Sequence, residues 1–186
     1  MGSHVCPWWA GYFIDNPLRR MLHNPEAILG RYVRPGMTAT DLGCGMGFFS
    51  IAMARIVGDQ GRVIAVDVQQ QMLDVLQRRA EKSSVASRIR AHRAETDCLG
   101  IDTSVDFALA FAVVHEVSDT ERFLAQVCSC LKPEARFLVA EPRFHVSAEA
   151  FQRMLALARG VGLVVIEEPA VRLSRAVVLG RPGRSS

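Results

Sequence analysis

No run of 18 apolar residues occurs anywhere in the 186-residue chain, so no segment is expected to span a membrane. The N-terminus lacks a basic stretch followed by an apolar core, which predicts no secretory leader. Lysine is scarce: only Lys82 and Lys132 occur. The rest of the positive charge is arginine, spread along the chain rather than gathered into a tract. With a net charge of +3 and a pI near 8.8, the chain carries no nucleic-acid footprint. The five cysteines show no zinc spacing, and their odd number points to reduced thiols and a cytoplasmic location. Cys128 and Cys130 are two apart in an expected helix, so they face opposite sides and make no metal pair. Internal repeats and low-complexity linkers are also missing. What remains, at 49% hydrophobic and 22% charged, is ordinary globular composition. A chain of this length buries about 70% of its unfolded surface in a single domain.

Within that ordinary background one stretch stands out, Thr40-Asp41-Leu42-Gly43-Cys44-Gly45-Met46-Gly47-Phe48. Apolar chain leads into it and an amphipathic stretch, Phe48 to Val57, leaves it. That order predicts a buried strand, a tight glycine turn and a helix, the opening unit of a nucleotide-binding α/β sheet. Gly43 and Gly45 permit backbone angles and a close ligand approach that a β-carbon would forbid. Gly47 is expected to let the helix lie close to the strand. The β-branched run Arg62 to Val66 then ends in Asp67, 24 positions after Gly43. An acid at the end of the second strand of such a sheet accepts hydrogen bonds from ribose hydroxyls.

Strand-like and helix-like segments alternate from residue 37 onward. Strands are expected near 37–42, 61–66, 88–93, 105–110, 135–141, 162–168 and 172–180, and helices near 47–57, 69–82, 119–131 and 147–160. Alternation implies a parallel sheet with right-handed crossovers. The last two strands have only Glu168 to Val171 between them, too short for a crossover, so they must pair as an antiparallel hairpin. Residues 1–36 precede this domain of 37–180, and 181–186 read as a solvated tail. Trp8, Trp9 and Tyr12 crowd the leading segment. They serve either as an anchor that pins it to the domain or as a lid over an acceptor, since aromatic faces bind flat or cationic groups. Pro17 to Val33 is expected to form one or two short helices.

The spacing G-x-G-x-G, with Asp41 ahead of it and Asp67 after it, resembles the class I S-adenosylmethionine-dependent methyltransferases. The likeness runs over roughly residues 30 to 180 and is strongest to the small-molecule, ubiquinone/menaquinone-biosynthesis type. It implies an α/β, three-layer Rossmann-like sandwich whose mostly parallel seven-stranded sheet closes with an antiparallel C-terminal hairpin. It also implies S-adenosylmethionine as cofactor, wrapped by Asp41, Gly43, Cys44, Gly45 and Gly47, with Asp67 on the ribose. Val68 and Met72 follow the second strand, Met72 being either adenine contact or core. Ala94 and Glu95 follow the third, where the family places an acid or amide for the adenine amino group; Glu95 is preferred to Asp97.

The reacting methyl is expected near residues 110 to 112, which brings in Ala110 and Phe111. The turn after the fourth strand supplies His115 and Glu116, and the fifth strand ends in Glu141, followed by His145. These four are the clustered acid/base candidates. His115 and Glu141 are the catalytic candidates; Trp8, Trp9, Tyr12, Phe111 and His145 are the acceptor candidates. Glu141 would be costly to bury unpaired, so it must meet a partner or point into a pocket. No metal site is expected.

Further absences narrow the acceptor. No Asp/Asn-Pro-Pro-aromatic follows the fourth strand, which argues against amino methylation of adenine or glutamine. An alanine and a phenylalanine stand where the catechol type needs an Asp. The two lysines lie near helix ends, against a lysine-based ribose methylation. A small, partly apolar acceptor remains. Two alternatives stay open: a cofactor-binding regulatory or partner protein without turnover, and a metalloid or thiol methyltransferase using Cys6, Cys44 and Cys98.

Overall fold

A computed structural model describes residues 23–182. Trp8, Trp9, Tyr12 and Cys6 lie outside the described residues, and so does the expected lid. The elements run α1 (Pro25–Leu29), β1 (Thr38–Leu42), α2 (Phe48–Val57), β2 (Arg62–Asp67), α3 (Gln70–Lys82), β3 (Ile89–Arg93), β4 (Val105–Phe111), α4 (Thr120–Cys130), β5 (Leu131–Pro142), α5 (Ala148–Gly160), β6 (Val164–Glu167) and β7 (Ser174–Gly180). From β1 onward their bounds fall within two residues of those expected, except at the start of β5, while α1 occupies only part of the Pro17 to Val33 stretch expected to be helical. The strands form a seven-stranded sheet in the order β3-β2-β1-β4-β5-β7-β6. Among the described residues no helix is long and apolar enough to cross a membrane.

The chain forms two compact units, divided between Ala94 and Glu95. In the first, β1, β2 and β3 pair in parallel, with Thr40 opposite Ile64 and Ala65 opposite Ala91. β2 is buried from Val63 to Asp67, as an apolar strand covered on both faces should be. Asn24 caps α1, its Oδ1 accepting from the Ala27 amide at 3.1 Å, and Pro25 takes the first helical position. α3 buries Met72, Leu73, Val75, Leu76 and Ala80 on one stripe and ends in Arg79 and Lys82, favourable to the helix dipole.

In the second unit β4 and β5 are parallel, while β7 runs antiparallel to both β5 and β6. The expected hairpin is therefore present as β6 with β7. Asp119 caps α4 by accepting from the Arg122 amide at 2.9 Å, and Ser147 caps α5 by accepting from Ala150 at 3.2 Å. The expected strand 135–141 leaves Lys132-Pro133 outside it. Instead β5 starts at Leu131, and its register against β4 shifts between Val105–Leu131 and Phe107–Arg136. That irregularity accommodates Pro133, which has no amide to give a regular ladder. Lys132 Nζ also ties the irregular stretch to both carboxylate oxygens of Asp106, at 2.8 Å each. Cys130 is buried and Cys128 half-buried.

Candidate functional site

The glycine turn is fixed from both ends by backbone. Cys44 N donates to Val66 O of β2 at 2.9 Å, and Gly47 N donates back to Cys44 O at 3.0 Å. Gly43, Gly45 and Gly47 all hold left-handed φ, at 66°, 52° and 86°. The last two have different reasons to be glycine. A β-carbon on Gly47 would stand 2.8 Å from Leu76 Cγ, so this residue lets α3, rather than β1, come close to the start of α2. A β-carbon on Gly45 would meet nothing within 4 Å. Gly45 thus borders open space, as a ligand-facing glycine should.

Asp67 joins that turn directly. Its Oδ2 accepts from Gly45 N and its Oδ1 from Gln69 N, both at 2.9 Å. Burial pushes the Asp67 carboxyl above its ordinary range, and the amides of Gln69, Gly45 and Val68 pull it partly back. Each carboxylate oxygen keeps a further lone pair for a hydroxyl donor. Asp41 is 2% exposed and accepts at Oδ2 from Ser50 Oγ at 2.5 Å. Sequence reasoning missed Ser50, although a hydroxyl inside the otherwise apolar Phe48–Met53 stretch was a signal. It also missed Arg79, whose Nη1 braces the turn through Met46 O at 3.1 Å.

The other donor-side candidates divide by environment. The Cys44 side chain packs into a cluster with Ala65, Leu73 and Leu76. Burial, reinforced by the charges of Asp41 and Asp67, pushes its thiol well above the ordinary value. Met72 packs with Met46 and Val75, Ala94 N bonds Asp67 O at 3.0 Å, and Val68 is 37% exposed.

In the second unit Glu95 is exposed and opens a tight turn, its amide donating to Cys98 O at 3.0 Å. Asp97 pairs with Arg122 at 3.2 Å. Gln126, also missed from sequence, pins this loop by accepting from Leu99 N at 2.8 Å and donating to Asp97 O at 3.1 Å.

At the end of β4, Ala110 and Phe111 are buried and Ala112 takes a left-handed φ of 59°. A non-glycine residue held so costs about 1 kcal/mol. What holds this turn is Glu141. Its carboxylate is 2% exposed, and Oε1 accepts from Val113 N at 3.1 Å and Val114 N at 2.7 Å. Oε2 meets His115 Nδ1. The buried acid has therefore found the partner its position required. The Glu141 hydrogen bond raises the His115 imidazole above its usual range, more than burial lowers it; the charges of Glu141 and Glu116 add to the rise. The His145 ring stacks on that of His115, with centroids 5.5 Å apart and planes 13° apart. Of the four acid/base candidates, His115, Glu141 and His145 come together, and Glu116 Oε1 stands 4.0 Å from His115 Nε2.

Residues 34–166 match the protein-family model described as a methyltransferase domain. Over 110 residues the chain is 33% identical to the ubiquinone/menaquinone biosynthesis C-methyltransferase of Francisella tularensis subsp. novicida, a match covering 59% of this chain and 44% of that protein. A 37.1 kDa uncharacterized protein in transposon TN4556 of Streptomyces fradiae is 34% identical over 110 residues, covering 59% of this chain and 31% of that one. These matches span less than half the length of the curated relatives. Among solved structures, an S-adenosylmethionine-dependent methyltransferase from Aquifex aeolicus superposes with a TM-score of 0.85 at 24% identity, covering 94% of this chain and 98% of that one. The [4+2]-cyclase SpnF superposes with a TM-score of 0.72 at 15% identity, covering 86% and 81%. At such identities the likeness speaks for the fold alone, and SpnF carries a different reaction in its name.

Proposed function

Since the chain belongs to the class I S-adenosylmethionine-dependent methyltransferase family, we propose that it moves a methyl group from S-adenosylmethionine to a small, partly apolar acceptor. One observation carries this reading: the acid ending β2 is hydrogen-bonded to the amide of Gly45, a turn glycine that faces open space. The residues fit the donor. Asp67 keeps lone pairs for two ribose hydroxyls, Gly45 admits close approach, and Met46 and Met72 offer an apolar wall for a flat base. Ser50 holds Asp41 in place beneath the turn.

When bound, S-adenosylmethionine supplies a methyl carbon already activated on a sulfonium, which leaves the protein chiefly the work of alignment and of keeping water out. Phe111 and His145 are the proposed acceptor contacts, with the aromatic segment Trp8, Trp9 and Tyr12 as a proposed cover. The thiol-based alternative is disfavoured by Cys44, whose thiol is buried and kept protonated. Titration calorimetry with S-adenosylhomocysteine tests the reading. The intact protein should bind it, and Asp67→Ala should weaken binding by about tenfold or more, because two charge-assisted hydrogen bonds are lost. A wild-type protein that takes up no S-adenosylhomocysteine would sink the proposal.

A further inference from the structure

We propose that two bonded turns, 142–146 and 171–174, form a ridge that docks on an anionic lipid surface. The inference goes beyond the methyl-transfer reading and stands without it. Both turns belong to the second unit, at the end of β5 and the start of β7. Phe144 stands at the tip of the first, which closes with His145 N and Val146 N donating to Pro142 O at 3.1 and 2.9 Å. Leu173 takes the third place of the second, closed by Ser174 N donating to Val171 O at 3.1 Å. Among the described residues these are the two most exposed large apolar side chains, at 76% and 52%.

Three bonds join the turns. Arg143 N donates to Leu173 O at 3.0 Å, Arg143 Nε to Ser174 O at 3.0 Å and Arg175 Nε to Val146 O at 3.2 Å. The two apolar tips therefore share one fixed base. Leu173 is the more telling of them. Its φ of 59° is left-handed, at a turn position that favours glycine or asparagine. A leucine there is unfavourable twice, in backbone conformation and in the apolar surface it leaves in water. Packing does not offset those costs, because about half of the residue is exposed. An outlier of this kind points to a role outside the fold.

The polar residues select the occupant. Residues 142–147 and 168–175 carry Arg143, Arg172 and Arg175 against one acid, Glu168. The next acid along, Glu149, acts on Arg175 and Arg153. Arg143 and Arg172 are exposed beside the tips. Apolar tips with guanidinium groups at their base suit a bilayer interface, where acyl chains take the tips and anionic headgroups the arginines. A protein partner would need a packed face of about 800 Å² on this side, which two projecting side chains do not supply.

Co-sedimentation of the intact protein with vesicles tests the proposal. Vesicles of phosphatidylglycerol and phosphatidylcholine in equal parts should carry the wild type down, and added salt should release it. Phosphatidylcholine alone should carry much less. Phe144→Ser should lower the partition coefficient about tenfold, the factor expected from withdrawing one large apolar side chain. Leu173→Gly should lower it about as much, while its urea midpoint holds or rises because glycine accepts the left-handed φ. A leucine that served the fold would instead lose stability on that change. Arg172→Glu should weaken binding to the anionic vesicles by about tenfold. A wild type that stays in the supernatant with anionic vesicles overturns the proposal, as does unchanged binding by Phe144→Ser and Leu173→Gly. A wild-type dimer in analytical ultracentrifugation that Phe144→Ser makes monomeric, without vesicle binding, would assign the ridge to a second copy and overturn it too. S-adenosylhomocysteine binding, measured separately, bears on the methyl-transfer reading alone.

Discussion

Replacing Gly45 and Gly47 by alanine, one at a time, separates the ligand-facing part of the turn from the part that closes the fold. Both residues hold a left-handed φ, 52° and 86°, which an L side chain adopts at a cost of about 1 kcal/mol. For Gly45 that is nearly the whole effect on stability, because an added methyl group would meet nothing within 4 Å. At Gly47 the new carbon would stand 2.8 Å from Leu76 Cγ and 3.1 Å from Cδ1, and Leu76 is only 1% exposed. Overpacking of that kind costs about 1–3 kcal/mol, which brings the Gly47 total to about 2–4 kcal/mol. Urea denaturation reads the first quantity and calorimetric titration with S-adenosylhomocysteine the second. Gly45→Ala should unfold close to the wild-type midpoint but bind S-adenosylhomocysteine about tenfold more weakly or worse, a loss of about 1.4 kcal/mol. Gly47→Ala should unfold much earlier and, while folded, bind within about threefold of wild type. If Gly45→Ala binds as the wild type does, or loses as much stability as Gly47→Ala, the assignment of the open space to a ligand is wrong.

Three further outcomes follow from the polar groups. Asp67 has a raised folded pKa, so its contribution to stability is greatest at low pH and declines as pH rises from the ordinary carboxylate value through the raised one. Asp67→Asn should remove that slope in urea titrations across the acid range, lose about 1–3 kcal/mol at neutral pH because its NH2 would face a backbone amide that Asp67 now accepts from, and bind S-adenosylhomocysteine more weakly. His115 behaves as a raised base: its pairing with Glu141 stabilises the fold fully below the unfolded histidine pKa and is lost as pH rises through the folded one. His115→Gln should flatten the wild-type fall in urea midpoint across that window, and a parallel fall in the variant would deny the pair its role. Ser50→Ala removes the hydroxyl that donates to buried Asp41 and should cost about 1.5–3 kcal/mol in chemical denaturation.

The glycine turn and the acid beside it were legible in the sequence because they are set by backbone. Left-handed turns require glycine, and a buried parallel strand requires a β-branched run. The carboxylate that receives a turn amide must end the neighbouring strand, as Asp67 does opposite Gly45. Each of these requirements writes a residue type at a fixed place. The pattern therefore yielded the turn, the acid and most element bounds. It misjudged Gly47 only in its neighbour, since nothing local says that Leu76 of α3 rather than β1 will lie against it. Cys44 was harder to read. The resemblance made it a ligand residue, but the bond from Cys44 N to Val66 O carries the chain past β2 with the thiol turned inward.

The cluster at the end of β4 is made of side chains that meet across long separations, and a sequence does not write those meetings down. Glu141 and His115 could each be singled out, one for its burial cost and one for its place after β4. That they would form one unit depends on the parallel pairing of β4 with β5, which brings the ends Phe111 and Ala140 to the same level. Gln126 is a sharper case, because an amide on a half-exposed helix face gives no hint that it will receive Leu99 N and hold Asp97 O. The same contrast bears on function. A nucleoside donor is gripped by geometry that many sequences share, so its site appears as a motif. An acceptor is selected by the few side chains that the motif leaves free to vary, which is why the anchoring of His115 on Glu141, absent from any spacing pattern, is where the chemistry particular to this chain should be sought.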